Sequence, residues 1–292
     1  MPKFSIIGAN SSLARNFVFF LHDKNVSFKL YDIQDKQSDG FENYSKIDFL
    51  NDEDVKKIDF DCDAAFIFIG LTGAALSMNE VNRFIDINAK ALVNVLNAVK
   101  LSHSQCKIIY PSSRLVYKDC ENKLNERCPL EAKSVYALNK IFAEDILKLY
   151  HQFFDINYTV FRIAIPFGEL NPSSNKYGIL ANLSDQSKNG EIKLFGDGSG
   201  VRTFTHVRNI CEALYFGATS KTTDGQIFNI GGHAYTLLEI ANLLCKKDKS
   251  KITFIPWTED MIKIDVKNGY LDSTKLDKLL NIDYIDINEY LM

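Results

Sequence analysis

Tyr136 and Lys140 stand four residues apart, and the pair Ser112-Ser113 precedes them by about two dozen residues. Four residues is close to one helical turn, so a helix carrying this pair presents phenol and ammonium on one face. A neighbouring ammonium favours the phenolate and turns a weak acid into a usable base near neutral pH. A serine hydroxyl facing them can hold the oxygen that loses or regains a proton. Together these groups can interconvert an alcohol and a ketone, provided a hydride carrier lies alongside. The spacing alone carries little weight. With 13 tyrosines and many lysines, about one Tyr-x-x-x-Lys is expected by chance. Its weight comes from the serines before it and a glycine turn before those, in that order.

For these residues to meet, the chain must deliver them to one edge. Its first half alternates short apolar runs with longer amphipathic segments, the pattern of βα units around a parallel sheet. Residues 4–7, 28–31, a short run at Lys46-Ile47, 64–69, 106–110 and 159–163 read as strands. The run 64–69 is almost wholly apolar, as expected of a strand covered on both faces. Residues 12–22, 79–101 and 134–152 read as helices, the last carrying Tyr136 and Lys140. In an open α/β sheet, ligands bind beyond the carboxyl ends of the strands. Gly8, Asp32, Gly70, Ser113 and Ile165 would gather there. Residues 166–200 are rich in Gly, Asn, Ser and Pro and read as loops with only short elements. A strand-like stretch at 223–232 and a short amphipathic helix at 237–247 follow.

The N-terminal turn reads Gly8-Ala9-Asn10-Ser11-Ser12-Leu13-Ala14. The dinucleotide fingerprint has glycine where Gly8, Ser11 and Ala14 stand. Its first glycine makes the tight turn, its second admits the pyrophosphate, and its third allows close helix–strand packing. Alanine is accepted at the third place, whereas serine at the second is a departure. Ser11 can still offer a hydroxyl and an N–H to a phosphate at the helix N-terminus. Asp32, at the end of the next strand, suits a ribose hydroxyl, and its charge would repel a 2′-phosphate, favouring NAD over NADP. The competing explanation is a structural strand-to-helix turn with a solvated Asp.

A chain of 292 residues can bury a substantial core as one large or two interleaved domains. A formal charge of −3 gives no footprint for nucleic acid, and no lysine cluster suggests a membrane surface. Cys62, Cys106, Cys120, Cys128, Cys211 and Cys245 lack any Cys-x-x-Cys spacing, which argues against zinc, or any metal, and for reduced thiols. The N-terminus is too short in apolar length for a signal peptide, and no run approaches the roughly 20 residues that span a bilayer. A cytoplasmic protein is expected.

From residue 3 to about 280 the chain resembles an extended short-chain dehydrogenase/reductase of the sugar-nucleotide epimerase/dehydratase family. The resemblance runs through Gly8–Ala14, Asp32, Asp48-Phe49, Asn88, Ser112–Tyr117 and Tyr136–Lys140. It continues through residues 196–207, Gly-Asp-Gly-Ser-Gly-Val-Arg-Thr-Phe-Thr-His-Val, and residues 228–232, Phe-Asn-Ile-Gly-Gly. The 196–207 block is close to the matching segment of UDP-glucose 4-epimerases. The resemblance implies a Rossmann-type doubly wound parallel sheet with a smaller C-terminal substrate-binding domain. Residues 1–165 with about 203–233 would bind NAD, and 166–202 with 234–292 the substrate. It implies Tyr136 as acid/base, Lys140 lowering its pKa and holding the nicotinamide ribose, and Ser113 bonding the substrate hydroxyl. Ser112, Arg114 and Arg202 would contact the nucleotide sugar, with Arg202 gripping its diphosphate. Gly8, Asn10, Ser11, Ser12, Leu13, Asp32, Asp48, Phe49, Gly70, Leu71, Thr72, Asn88, Tyr136, Lys140 and Ile165 would line the NAD site, with Asp48 and Phe49 at the adenine. His206, His103, His151 and His233 read as packing residues rather than catalysts.

Several positions depart from the family pattern. Ile165 stands where an Asn usually anchors the diphosphate, Asn209 replaces a common Asp, and Lys118 replaces a Gly. Arg114 and Leu115 occupy the places where 4,6-dehydratases carry the Asp-Glu pair that removes water, which argues against dehydration. The expected activity is NAD-dependent epimerisation at C4 of a nucleotide sugar. One competing reading is an NAD(P)H-dependent reductase of a 4-keto-6-deoxy nucleotide sugar. Another is a non-catalytic dinucleotide sensor on the same fold. A homodimer through helices 79–101 and 134–152, and a setting in polysaccharide synthesis, are implied by resemblance only.

Overall fold

The computed structural model describes residues 1–120, 122–173, 178–264 and 269–291. Its first half runs β1 (Lys3–Ile7), α1 (Ser12–Asp23), β2 (Ser27–Asp32), β3 (Tyr44–Lys46), α2 (Asp52–Val55), β4 (Ala64–Ile67), α3 (Ala74–Asn79) and α4 (Val81–Ile85). A π-helical turn (Asp86–Lys90) then leads to α5 (Ala91–Leu101), β5 (Lys107–Ser113), α6 (Val135–Phe154) and β6 (Tyr158–Ile163). The second half contains β7 (Ile165–Phe167), α7 (Gly178–Lys188), β8 (Glu191–Phe195), β9 (Val201–His206) and α8 (Val207–Thr219). It continues with β10 (Gln226–Asn229), β11 (His233–Thr236), α9 (Leu237–Asp248) and β12 (Lys251–Ile255).

Among the described residues, seven strands form one sheet in the order β10-β6-β5-β4-β1-β2-β3, and every pairing in it is parallel. Alternation along each strand splits the core. Phe4, Ile6, Ala64 and Phe66 face α1 and α8, while Ile7, Ala65 and Ile67 face α5 and α6. With both faces covered, the strands read as continuous apolar runs. Phe17 of α1 packs on Phe66 with ring centroids 4.5 Å apart, which pins α1 to the sheet beside β4. The chain reverses its direction of sheet growth at β1, so the ends of β1 and β4 flank the crevice where such sheets take ligands.

Beyond this sheet lie β11-β9-β7 and the parallel pair β12-β8. They pack with α7 and α9 around Phe167, Leu183, Ile192, Phe204 and Ile240. No helix among the described residues is long and apolar enough to cross a membrane.

Two expectations about elements need correction. The helix expected over 79–101 is interrupted by a break at Glu80 and by the π-helical turn, which carries the buried Asn88. Such turns re-aim a side chain at the expense of regular bonding. Residues 178–188, within a stretch expected to hold loops and only short elements, form the three-turn helix α7. Its core side holds only Leu180, Leu183 and Ser187, an apolar stripe too thin to stand out in sequence.

Candidate active site

A cavity of about 550 Å³ opens beyond the carboxyl ends of β4, β5 and β6, beside the turn that follows β1. Its wall unites most of the residues singled out in sequence. Ser11, Ser12 and Leu13 come from the turn into α1, and Gly70, Leu71 and Thr72 from the segment after β4. Ser112, Ser113 and Arg114 follow at the end of β5, Tyr136 and Lys140 lie on α6, and Ile165 begins β7.

The turn depends on Gly8. Its φ is +87°, and a Cβ there would sit 2.6 Å from the Ile69 nitrogen and 2.7 Å from the Phe68 carbonyl carbon. Only glycine lets the chain cross so close to the end of β4. Ser11 caps α1 by accepting the Ala14 N–H at 3.4 Å. The first turn of α1 thereby ends at the cavity wall, where its N–H groups and dipole suit a phosphate. The residues present fit the pyrophosphate of a dinucleotide.

Other residues expected at the cofactor also hold local backbone. Asp32 is buried, and its carboxylate accepts the N–H groups of Asn10 at 2.9 Å and Ile33 at 2.8 Å. The Asn10 amide donates to Gln34 and to the Lys36 carbonyl and accepts the Ser38 N–H, so it holds the 34–38 loop. Asn88 accepts the Leu71 N–H at 2.7 Å and donates to the Leu71 carbonyl at 2.9 Å. It clamps the segment that lines the cavity and does not itself form the wall. Asp48 caps the Leu50 N–H and Phe49 packs into the core, both outside the 550 Å³ space.

α6 begins at Ser134, which accepts the Ala137 N–H, and buries Tyr136, Lys140, Glu144 and Leu147 along one side. The Lys140 ammonium lies 5.9 Å from the centroid of the Tyr136 ring. It donates to the Pro111 carbonyl at 2.8 Å and to the Tyr110 hydroxyl at 3.1 Å. Burial pulls its pKa down to about 8, against the opposing pull of the Glu144 charge. Near neutral pH the ammonium persists, and it is lost a few units sooner than from an exposed lysine. The Tyr136 N–H is held by Ser77 Oγ at 3.0 Å, and Ser113 Oγ accepts the Leu115 N–H at 3.2 Å.

Ser112 alternates away from Ser113 on β5. Its hydroxyl donates to Glu144 Oε1 at 2.6 Å, so a substrate contact through that hydroxyl is not what the structure presents. Arg114 lines the cavity, its guanidinium set against the backbone of Gly269, where a Cβ would fall 2.3 Å from Nη1. Arg202 is only 4% exposed on β9, outside the cavity wall. His206 caps α8 through the Arg208 N–H and packs against Phe167 and Tyr290.

Sequence reasoning missed the layer beneath the pair. Glu144 is fully buried and forms a two-pronged bond to Arg162, Nη2 to Oε2 at 2.6 Å and Nε to Oε1 at 3.0 Å. Its signal was present, because Glu144 follows Lys140 by the same four residues that separate Lys140 from Tyr136. Tyr110 left no such signal, since it reads as one more large residue of an apolar strand.

The sequence profile of the NAD dependent epimerase/dehydratase family matches residues 5–231. CDP-paratose 2-epimerase of Salmonella typhi is 28% identical over 227 residues, covering 68% of this chain and 67% of that one. A putative UDP-glucose 4-epimerase of Methanocaldococcus jannaschii is 29% identical over 149 residues, half of this chain and 48% of its own length. The crystal structure of UDP-glucose 4-epimerase from Thermus thermophilus, in complex with NAD, shares the fold. Its TM-score is 0.85 at 17% identity, with 99% of this chain and 96% of that one covered.

Proposed function

Because the chain belongs to the NAD-dependent epimerase/dehydratase family, we propose that it is a nucleotide-sugar epimerase acting at C4 through a transient 4-keto sugar. One observation carries this reading above the others. Tyr136, Lys140 and Ser113 share the wall of a single cavity with the glycine-led turn of α1. Bound NAD supplies a reversible two-electron acceptor for a carbinol. The chain's own residues do the rest. Tyr136 Oη takes the proton of the C4 hydroxyl while Ser113 Oγ holds the same oxygen. Lys140, fixed by Pro111 and Tyr110, biases Tyr136 toward phenolate. Ser113 from the end of β5 and Tyr136 and Lys140 from α6 line the same cavity, and such placement is a large part of the expected acceleration. Re-protonation by Tyr136 after the sugar turns over completes the exchange. Arg114 and Leu115, at the places where elimination would need an acid and a base, argue against loss of water.

Within this reading, residues 166–202 and 234–292, with α7, β8, α9 and β12, form the substrate-binding part, and Arg202 lies within it. Asp32 is assigned to the adenosine ribose, through lone pairs its backbone donors leave unused, in keeping with NAD. Free thiols at all six cysteines suit a reducing cytoplasm.

The test is a panel of UDP, dTDP, GDP and CDP sugars given to purified protein with no added NAD(P)H. One of them should interconvert with its C4 epimer over many turnovers per protein molecule. Stoichiometric consumption of a reduced nicotinamide, or change at a different carbon, would overturn the assignment.

We propose also that two copies pair through α6 and α4. Leu138, Phe142, Leu149 and Phe153 form an exposed apolar stripe on the side of α6 opposite Tyr136 and Lys140, and Val81 and Ile85 are exposed on the adjoining α4. In sedimentation experiments the protein should run as a dimer and the Phe142→Glu variant as a monomer. A monomeric wild-type protein would remove this assignment.

A further inference from the structure

A buried ammonium needs acceptors, and the choice of acceptor sets how readily it keeps its proton. Lys140 bonds the Pro111 carbonyl at 2.8 Å and the Tyr110 phenol oxygen at 3.1 Å. The Tyr110 ring also lies beside it, 4.4 Å from centroid to Nζ. Tyr110 is 1% exposed and fixed in the middle of β5, opposite Val160 of β6, so its hydroxyl has no room to swing away. An ammonium has three donors, and these two contacts leave one for an occupant of the cavity that Lys140 helps to line.

We infer that Tyr110 is a positioning residue for the active site, its phenol oxygen holding Lys140 as an ammonium beneath Tyr136. Among the described residues, the groups facing Nζ are few. Tyr110 and Pro111 come from β5, Tyr136 and Glu144 from α6, and Arg162 of β6 lies behind Glu144. The Glu144 charge also favours the ammonium, although both its oxygens are bonded to Arg162 and Ser112 rather than to Lys140. The Tyr110 oxygen, by contrast, is a side-chain acceptor bonded directly to the ammonium. Phenylalanine at this position would keep the ring and lose the oxygen.

An acceptor bonded to the charged form raises the pKa, so removing it makes Lys140 give up its proton at lower pH. Hydrogen bonds to charged groups are strong enough for a shift of about one pH unit. Lysine side-chain NMR on protein carrying ¹³C-labelled lysine reads this directly, with the Lys140 signal identified by its loss in Lys140→Met. The Lys140 midpoint in Tyr110→Phe should fall by about one pH unit, and Tyr110→Met should move it at least as far. Tyr150→Phe, which removes a hydroxyl bonded to Asn97 from the same helix, should leave the midpoint in place. The consequence for catalysis rests on the epimerase reading. On that reading, the alkaline limb of kcat moves to lower pH by the same amount, with KM little changed. An unchanged or raised Lys140 midpoint in both Tyr110 variants would refute the inference. A lowered midpoint without any epimerase activity would leave it standing and refute the functional reading instead.

Discussion

Replacing Tyr136 with phenylalanine should lower nucleotide-sugar epimerisation by roughly 10²- to 10⁴-fold, the range that a positioned acid/base contributes. NAD binding should survive, because the substitution leaves Ser11, Ser12 and Leu13 of the turn into α1, which suit the pyrophosphate, unchanged. The fold should survive as well. Tyr136 is 8% exposed, its N–H is held by Ser77 Oγ, and α6 packs through Ala143 and Leu147, none of which the substitution touches. An interaction made mainly in the transition state lowers kcat and leaves KM nearly unchanged. The measurement is therefore kcat and KM on the substrate found by the panel, beside retention of NAD through gel filtration. Equal kcat in the variant would remove Tyr136 from the mechanism. Loss of NAD together with activity would point to a structural role.

Glu144→Ala should destabilise the protein by about 3–5 kcal/mol, the usual consequence of leaving one buried partner uncompensated. Its side chain is completely enclosed, and that of Arg162 is 3% exposed. Removing the carboxylate strands the guanidinium in a low-dielectric interior and deprives the Ser112 hydroxyl of its acceptor. Against a total stability of about 5–15 kcal/mol, this is a large fraction. Urea unfolding at neutral pH gives the value. Asp145→Ala is the comparator, since it breaks an i,i+3 pair to Lys148 whose side chains are 59% and 46% exposed. It should change stability by no more than about 0.5 kcal/mol. The double replacement Glu144→Leu with Arg162→Met should be milder than Glu144→Ala, because no charge is left behind. A loss below about 1 kcal/mol in Glu144→Ala would mean that Arg162 finds water or another acceptor.

The two experiments probe positions two turns apart on one helix. Tyr136 and Lys140 face the cavity, and Glu144 faces the sheet beneath it. Chemistry and stability are thus arranged along a single helical side.

Much of this was legible in the residues alone. The apolar runs at β1, β4 and β6 mark strands covered on both faces, and parallel pairing follows from the helices between them. Gly8 and the Tyr136–Lys140 spacing announced a strand-to-helix turn and a shared helical face because both depend only on local backbone geometry. The tertiary structure decided what periodicity cannot encode. Asn10, Asn88 and Ser112 are polar residues next to the site whose side chains turn to the 34–38 loop, to Leu71 and to Glu144. Arg202 is buried on β9 and is not among the residues that line the cavity. Tyr110 reaches Lys140 across 30 positions of sequence. Helical and strand periods state which side of an element a residue occupies. Only the packing of one element against another selects the partner, and for a buried polar group the partner decides its protonation, its orientation and its part in the chemistry.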